Sequence, residues 1–138
     1  MDLVATAPHL PTAGETLLGY DFFQAPGGKG ANQAVAIAKL GIPTQIVGRV
    51  GKQGFSQELI DNLATNDVKT DNIFVDETVS SGVAIINVDD AGENQIVVIP
   101  GANGQVNQED VERLSRLLPG KKALLLQLEI PVPAVIAA

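Results

Sequence analysis

The sequence predicts an α/β fold with an open sheet, and two observations carry that prediction. First, strand and helix patterns alternate: residues 44–50 are expected to form a parallel core strand, residues 55–63 follow the one-face spacing of an amphipathic helix, and residues 73–75 form another short strand. Second, β-branched runs at residues 82–88 and 95–99 flank a turn-rich loop, which predicts a hairpin. A strand–helix–strand rhythm is typical of an open α/β sheet.

A glycine loop that leads into a helix is the most informative stretch of the chain. Residues 31–40 are helix formers, and their scarcity of polar surface predicts a helix that is buried on more than one side. The start of such a helix presents unpaired N–H groups, so Lys29 and Asn32 are candidates to contact one small polar ligand. On loop physics alone, a tight left-handed turn explains the glycines equally well. The loop glycines are Gly27, Gly28 and Gly30.

The remaining elements follow from the same kinds of pattern. Residues 2–7 alternate and predict a strand, and residues 15–24 predict a second, short strand. Asn107 is a good N-cap for a helix that a Pro-Gly pair ends. Residues 122–129 are almost unbroken in apolar character, which predicts a strand buried on both faces. Residues 131–138 begin a further helix.

Composition limits the classes of partner. The chain has 138 residues, which is one domain or a piece of one, and its net charge of −7 argues against nucleic acid or an anionic membrane as partner. No run is long enough to span a membrane, and no signal peptide is predicted at the N-terminus. The absence of cysteine excludes disulfides and thiolate metal sites, and it fits a cytoplasmic protein. The single histidine, His9, is expected in an exposed loop.

The glycine loop fits neither of two well-known phosphate-binding motifs. A P-loop needs Ser or Thr after its Gly-Lys pair, and Gly30 follows Lys29 here. The spacing of the glycines also fails the dinucleotide fingerprint, since Gln33 stands where its last glycine belongs. The acidic turn at residues 89–94 lacks the ligand spacing of an EF-hand, so a solvated turn is the better interpretation.

The loop does resemble the first signature of the ribokinase (PfkB-type) family of sugar kinases. Other stretches agree in order, at residues 11–15, 92–94, 100–103 and 125–129. The resemblance covers nearly the whole chain, and within the family the chain looks closest to the ribokinases. The positions that match the signature in register are Gly27, Gly28, Gly30, Asn32, Ala34, Gly41 and Gly51.

The resemblance implies a partial three-layer α/β/α sandwich with a small β-sheet lid. The whole chain, residues 1–138, is then the N-terminal part of one ribokinase-like domain. The lid strands are expected near residues 2–7, 15–24, 82–88 and 95–99, and the α/β core is expected at residues 27–76 and 106–138.

The resemblance also implies an activity, ATP-dependent phosphorylation of D-ribose at its 5-hydroxyl by the complete enzyme, with ATP and Mg²⁺ as cofactors. Taken without the resemblance, Asp2 is a surface carboxylate and Glu129 a plain acid at the end of a strand. With it, both join a sugar site in which Ala84 and Ile86 lie on the sugar-facing side of the lid. The implied substrate-binding residues are Asp2, Gly28, Lys29, Asn32, Ala84, Ile86 and Glu129.

The chain lacks the family's catalytic motif. The resemblance implies a general base in a Gly-Ala-Gly-Asp helix start, which occurs nowhere in this sequence, and the nearest stretch, residues 101–104, has no Asp. We therefore expect no catalytic residue, no metal site and no bound cofactor in this chain, and no activity from the chain alone. The alternatives are a non-catalytic module that binds sugar or dimerises through the lid, and a fragment of a related fructose or nucleoside kinase.

Both ends of the chain look cut through secondary structure. A strand begins at Met1 with no preceding turn, and the last helix has no cap or polar tail. Under the resemblance a core strand and the C-terminal half are missing, which would leave apolar surface bare. We expect a homodimer or larger assembly, with the lid or the exposed core as the contact.

Overall fold

The computed structural model describes residues 1–138 as an α/β molecule with two separate sheets. The strands, in chain order, are β1 (Asp2–Thr6), β2 (Asp21–Ala25), β3 (Thr44–Gln53), β4 (Val68–Ser80), β5 (Val83–Val88) and β6 (Asn94–Ile99). The helices are α1 (Lys29–Lys39), α2 (Ser56–Thr65), α3 (Gln108–Leu117) and α4 (Val132–Ala137), with a short 3-10 helix at Gly101–Gln105. No helix has both the length and the apolar character needed to cross a membrane.

The small sheet has four strands in the order β2-β1-β5-β6. Strand β1 runs parallel to β5, with Asp2 opposite Ala84 and Val4 opposite Ile86, and β2 and β6 pair antiparallel to their neighbours. The hairpin that the sequence predicts is present as β5 and β6. Its turn is closed by the Asp89 carboxylate, which accepts hydrogen bonds from two backbone N–H groups of the turn.

The predicted strand at residues 15–24 was too long, because β2 begins only at Asp21. The Glu15 carboxylate closes a loop instead: it accepts hydrogen bonds from the backbone N–H and hydroxyl of Thr12 and contacts Nε2 of His9 at 2.8 Å. The Thr12 and His9 bonds lower the pKa of Glu15 to about 2. A side chain that bonds its own loop in this way competes with strand pairing.

The second sheet consists of β3 and β4, which are parallel and joined by α2. Side chains alternate across a strand, so Ile46 and Val47 of β3 point to opposite faces. Ile46 packs with α1 and α2, while Val47 borders a cavity shared with α3 and α4. The helices therefore cover both faces of this sheet, which gives three layers. Both strands are longer than the predicted segments at residues 44–50 and 73–75.

The hydrophobic core is divided into two small clusters. Ala34, Leu63 and Val68 form one of them, between α1, α2 and the β3–β4 sheet. The other lies between α3 and α4, around Val111 and Ala134. Only 14 of the 138 residues are buried, so most apolar side chains keep contact with solvent. The prediction that α1 is buried on more than one side is wrong, because Ala34 is its only buried residue.

Helix α3 begins with the predicted cap. The Asn107 side chain accepts a hydrogen bond from the backbone N–H of Glu109, and Asp110 accepts one from the backbone N–H of Asn107, which completes a capping box. The cap fixes the direction in which α3 leaves the 3-10 helix and lies against β3.

The predicted strand at residues 122–129 is absent. These residues form an irregular segment with no strand pairing, and four of its leucines are 37–73% exposed. A strand needs a neighbour to hydrogen-bond, and β3 pairs only with β4. The segment begins where Nζ of Lys121 donates to the side chain of Gln45, and Glu129 lies in a turn rather than at a strand end.

Candidate functional site

The candidate site is built at the N-terminus of α1. The helix starts at Lys29, two residues before the predicted stretch, and Gly28 is its N-cap with φ 92° and ψ 125°. A positive φ of this size favours glycine, since a Cβ would be strained whatever the surrounding space. Gly28 is exposed and has no atom within 4 Å of an ideal Cβ position, so its backbone is open to a ligand.

The carboxylate of Asp2 lies directly against the preceding glycine. A Cβ built on Gly27 would come 2.2–2.5 Å from the Asp2 carboxyl atoms, a separation that no real side chain tolerates. Only glycine therefore allows β1 and the loop to approach this closely. Gly27 matches the family signature but was not among the predicted site residues. The available signal for a close approach at Gly27 was the pair of adjacent glycines directly before a helix.

Glu129 contacts the first residue of the helix from the other side. Its carboxylate accepts a hydrogen bond from the backbone N–H of Lys29 at 3.2 Å and forms an ion pair with the Lys29 ammonium. The Lys29 side-chain bond, helped by the backbone bond, holds the pKa of Glu129 below its ordinary value. An acidic group beside a helix N-terminus is also favoured by the helix dipole.

Asn32 lies one turn further along α1, three residues after Lys29. Positions three and four apart share a helix face, so Asn32 faces the same side as Gly28 and Lys29. It is exposed, and its backbone N–H donates to the carbonyl of Gly28 at 2.9 Å. The structure thus brings Asp2, Gly28, Lys29, Asn32 and Glu129 together around one helix end.

The two apolar candidates lie on the small sheet beside Asp2. Ala84 is the register partner of Asp2, and Ile86 is the partner of Val4, so all four side chains share one face. Ala84 adjoins the carboxylate across the strand pair. Ile86 lies two residues further along β5, away from the helix end.

This arrangement suits a ligand rich in hydroxyl groups. Two carboxylates accept hydrogen bonds, while an ammonium and a side-chain amide donate them. No group of three or more acidic, His or Cys side chains is placed to hold a metal ion. Two cavities of about 260 and 60 Å³ lie instead beside α3 and α4, where none of the candidate residues lines them.

Comparison with known proteins identifies the family of this chain. Residues 1–135 match the model of the pfkB family of carbohydrate kinases. The chain is 39% identical over 137 residues to the ribokinase of Mus musculus, covering 99% of this chain and 42% of that protein. It spans less than half the length of the curated relatives that it matches.

Solved structures show the same fold. The ribokinase of Giardia lamblia superposes with a TM-score of 0.88 at 32% identity, covering 99% of this chain and 44% of that one. A ribokinase of Arabidopsis thaliana, solved with ribose and ATP, has a TM-score of 0.80 at 30% identity and covers 97% and 44%. These matches confirm the ribokinase-like α/β fold. With its matching signature and fold, this chain belongs to the pfkB family of carbohydrate kinases.

Proposed function

We propose that this chain is the N-terminal, sugar-binding portion of a kinase that transfers the γ-phosphoryl group of ATP to the 5-hydroxyl of D-ribose. The observation that carries the proposal is the convergence of Asp2, Glu129, Lys29 and Asn32 on the glycine-rich start of α1. The names of the relatives support ribose as the sugar, and the Arabidopsis structure with ribose and ATP supports ATP as the phosphoryl donor.

Each residue has a role that follows from its chemistry. Asp2 and Glu129 accept hydrogen bonds from sugar hydroxyls, and one carboxylate can serve two vicinal hydroxyls. The Asn32 amide and the Lys29 ammonium donate to sugar oxygens, and Lys29 also balances the carboxylate charge. Gly28 allows a ring to approach the backbone closely. A site of this kind rejects sugars that leave its polar groups unpaired.

Ala84 and Ile86 supply an apolar surface for the other side of the sugar. They share the face of the small sheet that carries Asp2. We propose that this sheet is a lid over the sugar, and that Ala84 is small because it must fit beside the hydroxyls that Asp2 binds.

We assign ATP and Mg²⁺ to the complete enzyme rather than to this chain. The chain contains no Gly-Ala-Gly-Asp helix start to supply a general base, and no cluster of acidic side chains suited to Mg²⁺. We therefore propose that the 138-residue chain is inactive alone. A coupled assay with ATP, Mg²⁺ and D-ribose should give no turnover, and measurable sugar phosphate would contradict this part of the proposal.

The first test is a calorimetric titration of the chain with D-ribose. We expect saturable binding. Asn32→Ala should weaken it by about tenfold or more, because a hydroxyl of the bound sugar loses its hydrogen-bond partner. Asn62→Ala is the matched control, since it removes the same amide from α2, away from the site. D-fructose and adenosine should bind more weakly than ribose. The absence of ribose binding at millimolar concentration would overturn the sugar-binding proposal.

A second candidate function is a lid-dimerisation module without sugar binding. The observation that favours it is the apolar face of the small sheet opposite to Asp2, where Phe22, Ile85 and Val97 are 46–62% exposed. A stable dimer that binds no sugar would support this function over the first.

A further inference from the structure

The small sheet joins the rest of the molecule at a junction without free space. Three glycines lie there, and an ideal Cβ on each would come closer than 3.0 Å to backbone or side-chain atoms. Gly51, near the end of β3, would meet the Ser80 carbonyl carbon at 2.2 Å, and Gly101 would meet the Ser80 oxygen at 2.4 Å. Gly82 would meet Asn103 Nδ2 at 2.8 Å. The connection between β4 and β5 is thus enclosed by backbone on several sides.

The hydroxyl of Ser81 is a polar link at the centre of this junction. Ser81 is 1% exposed, and its Oγ accepts a hydrogen bond from the buried backbone N–H of Gly51 at 3.0 Å. This bond ties the end of β3 to the connection between β4 and β5. A buried N–H without this acceptor would be left unpaired, at a cost of about 1–3 kcal/mol by general estimate.

The junction continues into the candidate site within two residues. The carbonyl of Gly82 accepts a hydrogen bond from the Met1 amino group at 2.8 Å, and the Ala84 N–H donates to the Met1 carbonyl at 2.9 Å. Asp2 follows Met1, and its carboxylate lies against Gly27. These contacts form a continuous path from the connection at Ser81 through β1 to the Asp2 carboxylate.

We propose that Ser81 is a positioning residue for the sugar site. It does not touch the sugar: by holding the connection on β3, it fixes the orientation of the small sheet and so the placement of Asp2 against the glycine loop. The inference deepens the proposed function and rests on it for its effect on sugar binding, although the mechanical link can be measured without any ligand.

Three variants test whether the Ser81 hydroxyl positions Asp2 or only fills space: they are Ser81→Ala, Ser81→Thr and Ser80→Ala. Ser81→Ala removes the hydroxyl, Ser81→Thr keeps it, and Ser80→Ala removes a hydroxyl from the exposed neighbouring residue. We expect Ser81→Ala to raise the Kd for D-ribose about fivefold to tenfold, because a less firmly held sheet places Asp2 correctly in a smaller fraction of molecules. Ser81→Thr keeps the hydroxyl but adds a methyl group to a junction without free space, so it should restore only part of the affinity, whereas Ser80→Ala should match the unmodified chain.

Amide hydrogen exchange tests the link without ligand. In Ser81→Ala, the amides of Gly51 and Ala84 should exchange about tenfold faster or more, while amides within the β3–β4 ladder, such as that of Val47, change little. An equal acceleration at all of these amides, or none, would overturn the proposal even if ribose binds. If the unmodified chain binds no ribose, the proposed function fails and this exchange pattern alone decides the positioning role.

If Ser81→Ala does not fold, hydrogen exchange of the unmodified chain with and without D-ribose tests the proposal instead. There, saturating D-ribose should slow exchange of the Gly51 amide, because a sugar held by Asp2 also holds the junction that orients it. An unchanged exchange rate at Gly51, with ribose bound, would contradict the positioning role.

Discussion

At the scale of single residues, the most consequential side chain outside the site is Arg49. Its Nε donates to Asp110 at 2.8 Å and its Nη1 donates to Asp76 at 3.2 Å, and all three side chains are at most 12% exposed. The Arg113 guanidinium bonds the same Asp110 and stacks 3.3 Å from the ring centroid of Phe74. These charges join β3, β4 and α3 into one unit.

We predict that Arg49→Met lowers the free energy of unfolding by about 3 kcal/mol, because it leaves the buried Asp110 carboxylate and the largely covered Asp76 carboxylate with fewer partners. Arg116→Met removes the same charge from an exposed position of α3, and it should change the free energy of unfolding by less than about 0.5 kcal/mol. Urea denaturation followed by far-UV circular dichroism measures both values. A loss of under about 1 kcal/mol for Arg49→Met would show that the network contributes little.

Gly27 gives a second prediction at this scale. Gly27→Ala places a Cβ 2.2 Å from the Asp2 carboxylate, so either the carboxylate or the loop must shift. Ribose affinity should fall by about tenfold or more, since a displaced carboxylate loses its hydrogen bonds to the sugar. Gly48→Ala is the matched control, because no atom lies within 4 Å of its Cβ position. Equal affinities for the two variants would remove Asp2 from the site.

At the scale of elements, Glu129 holds the irregular segment at residues 122–129 to the start of α1. Because the pKa of Glu129 is lowered in the folded chain, its contribution to stability is present above the ordinary value of 4.5 and is lost as the pH falls through the lowered value. The pair is partly exposed, with 36% of the Glu129 side chain accessible, so the contribution is small, about 0.5 kcal/mol.

The measurement is the unfolding free energy of the unmodified chain minus that of Glu129→Gln, taken at neutral pH and at about pH 3. We predict a positive difference at neutral pH that shrinks toward zero in acid. Glu112→Gln, on an exposed position of α3, serves as control and should show no such trend. A difference that stays constant with pH would exclude the carboxylate as its source.

The elements also show how far the sequence predicts this fold. Helix α3 and the β5–β6 hairpin were predicted well, because a capping residue and a turn act over a few neighbouring residues. The structure also places Asp2 against Gly27 and Glu129 against Lys29, while the role of these residues in sugar binding stays a prediction. The prediction of a strand at residues 122–129 was wrong, because apolar character does not reveal whether a neighbouring strand exists.

Long-range contacts between polar groups left little trace in the sequence. The Arg49 network joins residues 27 and 61 positions apart, and Ser81 bonds a residue 30 positions away. An arginine inside a core strand was a signal that a buried acid should exist, but it could not identify Asp110. The glycines of the junction gave no periodic pattern, since their reason is close packing between separate parts of the chain.

At the scale of the whole molecule, many apolar side chains remain exposed, and two of the surfaces that they form are candidate contacts. The first is the face of the small sheet opposite to Asp2, where Val97 is 61% exposed. The second is the irregular segment, where Leu125 is 59% exposed and Leu128 is 73% exposed. Contiguous apolar patches of more than a few hundred Å² rarely stay exposed on a monomer. Either surface could be the contact of the assembly that we propose.

Two substitutions distinguish these surfaces. We predict that light scattering of the unmodified chain reports a dimer or larger species, because burying one apolar surface gains the hydrophobic free energy that the thin core lacks. If the small sheet forms the contact, Val97→Asp should shift the chain to monomer and Leu125→Asp should leave the assembly intact, since a charge in an apolar interface is costly. If Leu125→Asp gives the monomer and Val97→Asp does not, the contact lies at residues 122–129, whose leucines are exposed because this segment does not pair with β3. A monomer at all concentrations would mean that the chain keeps both surfaces in water, and self-association would then be excluded.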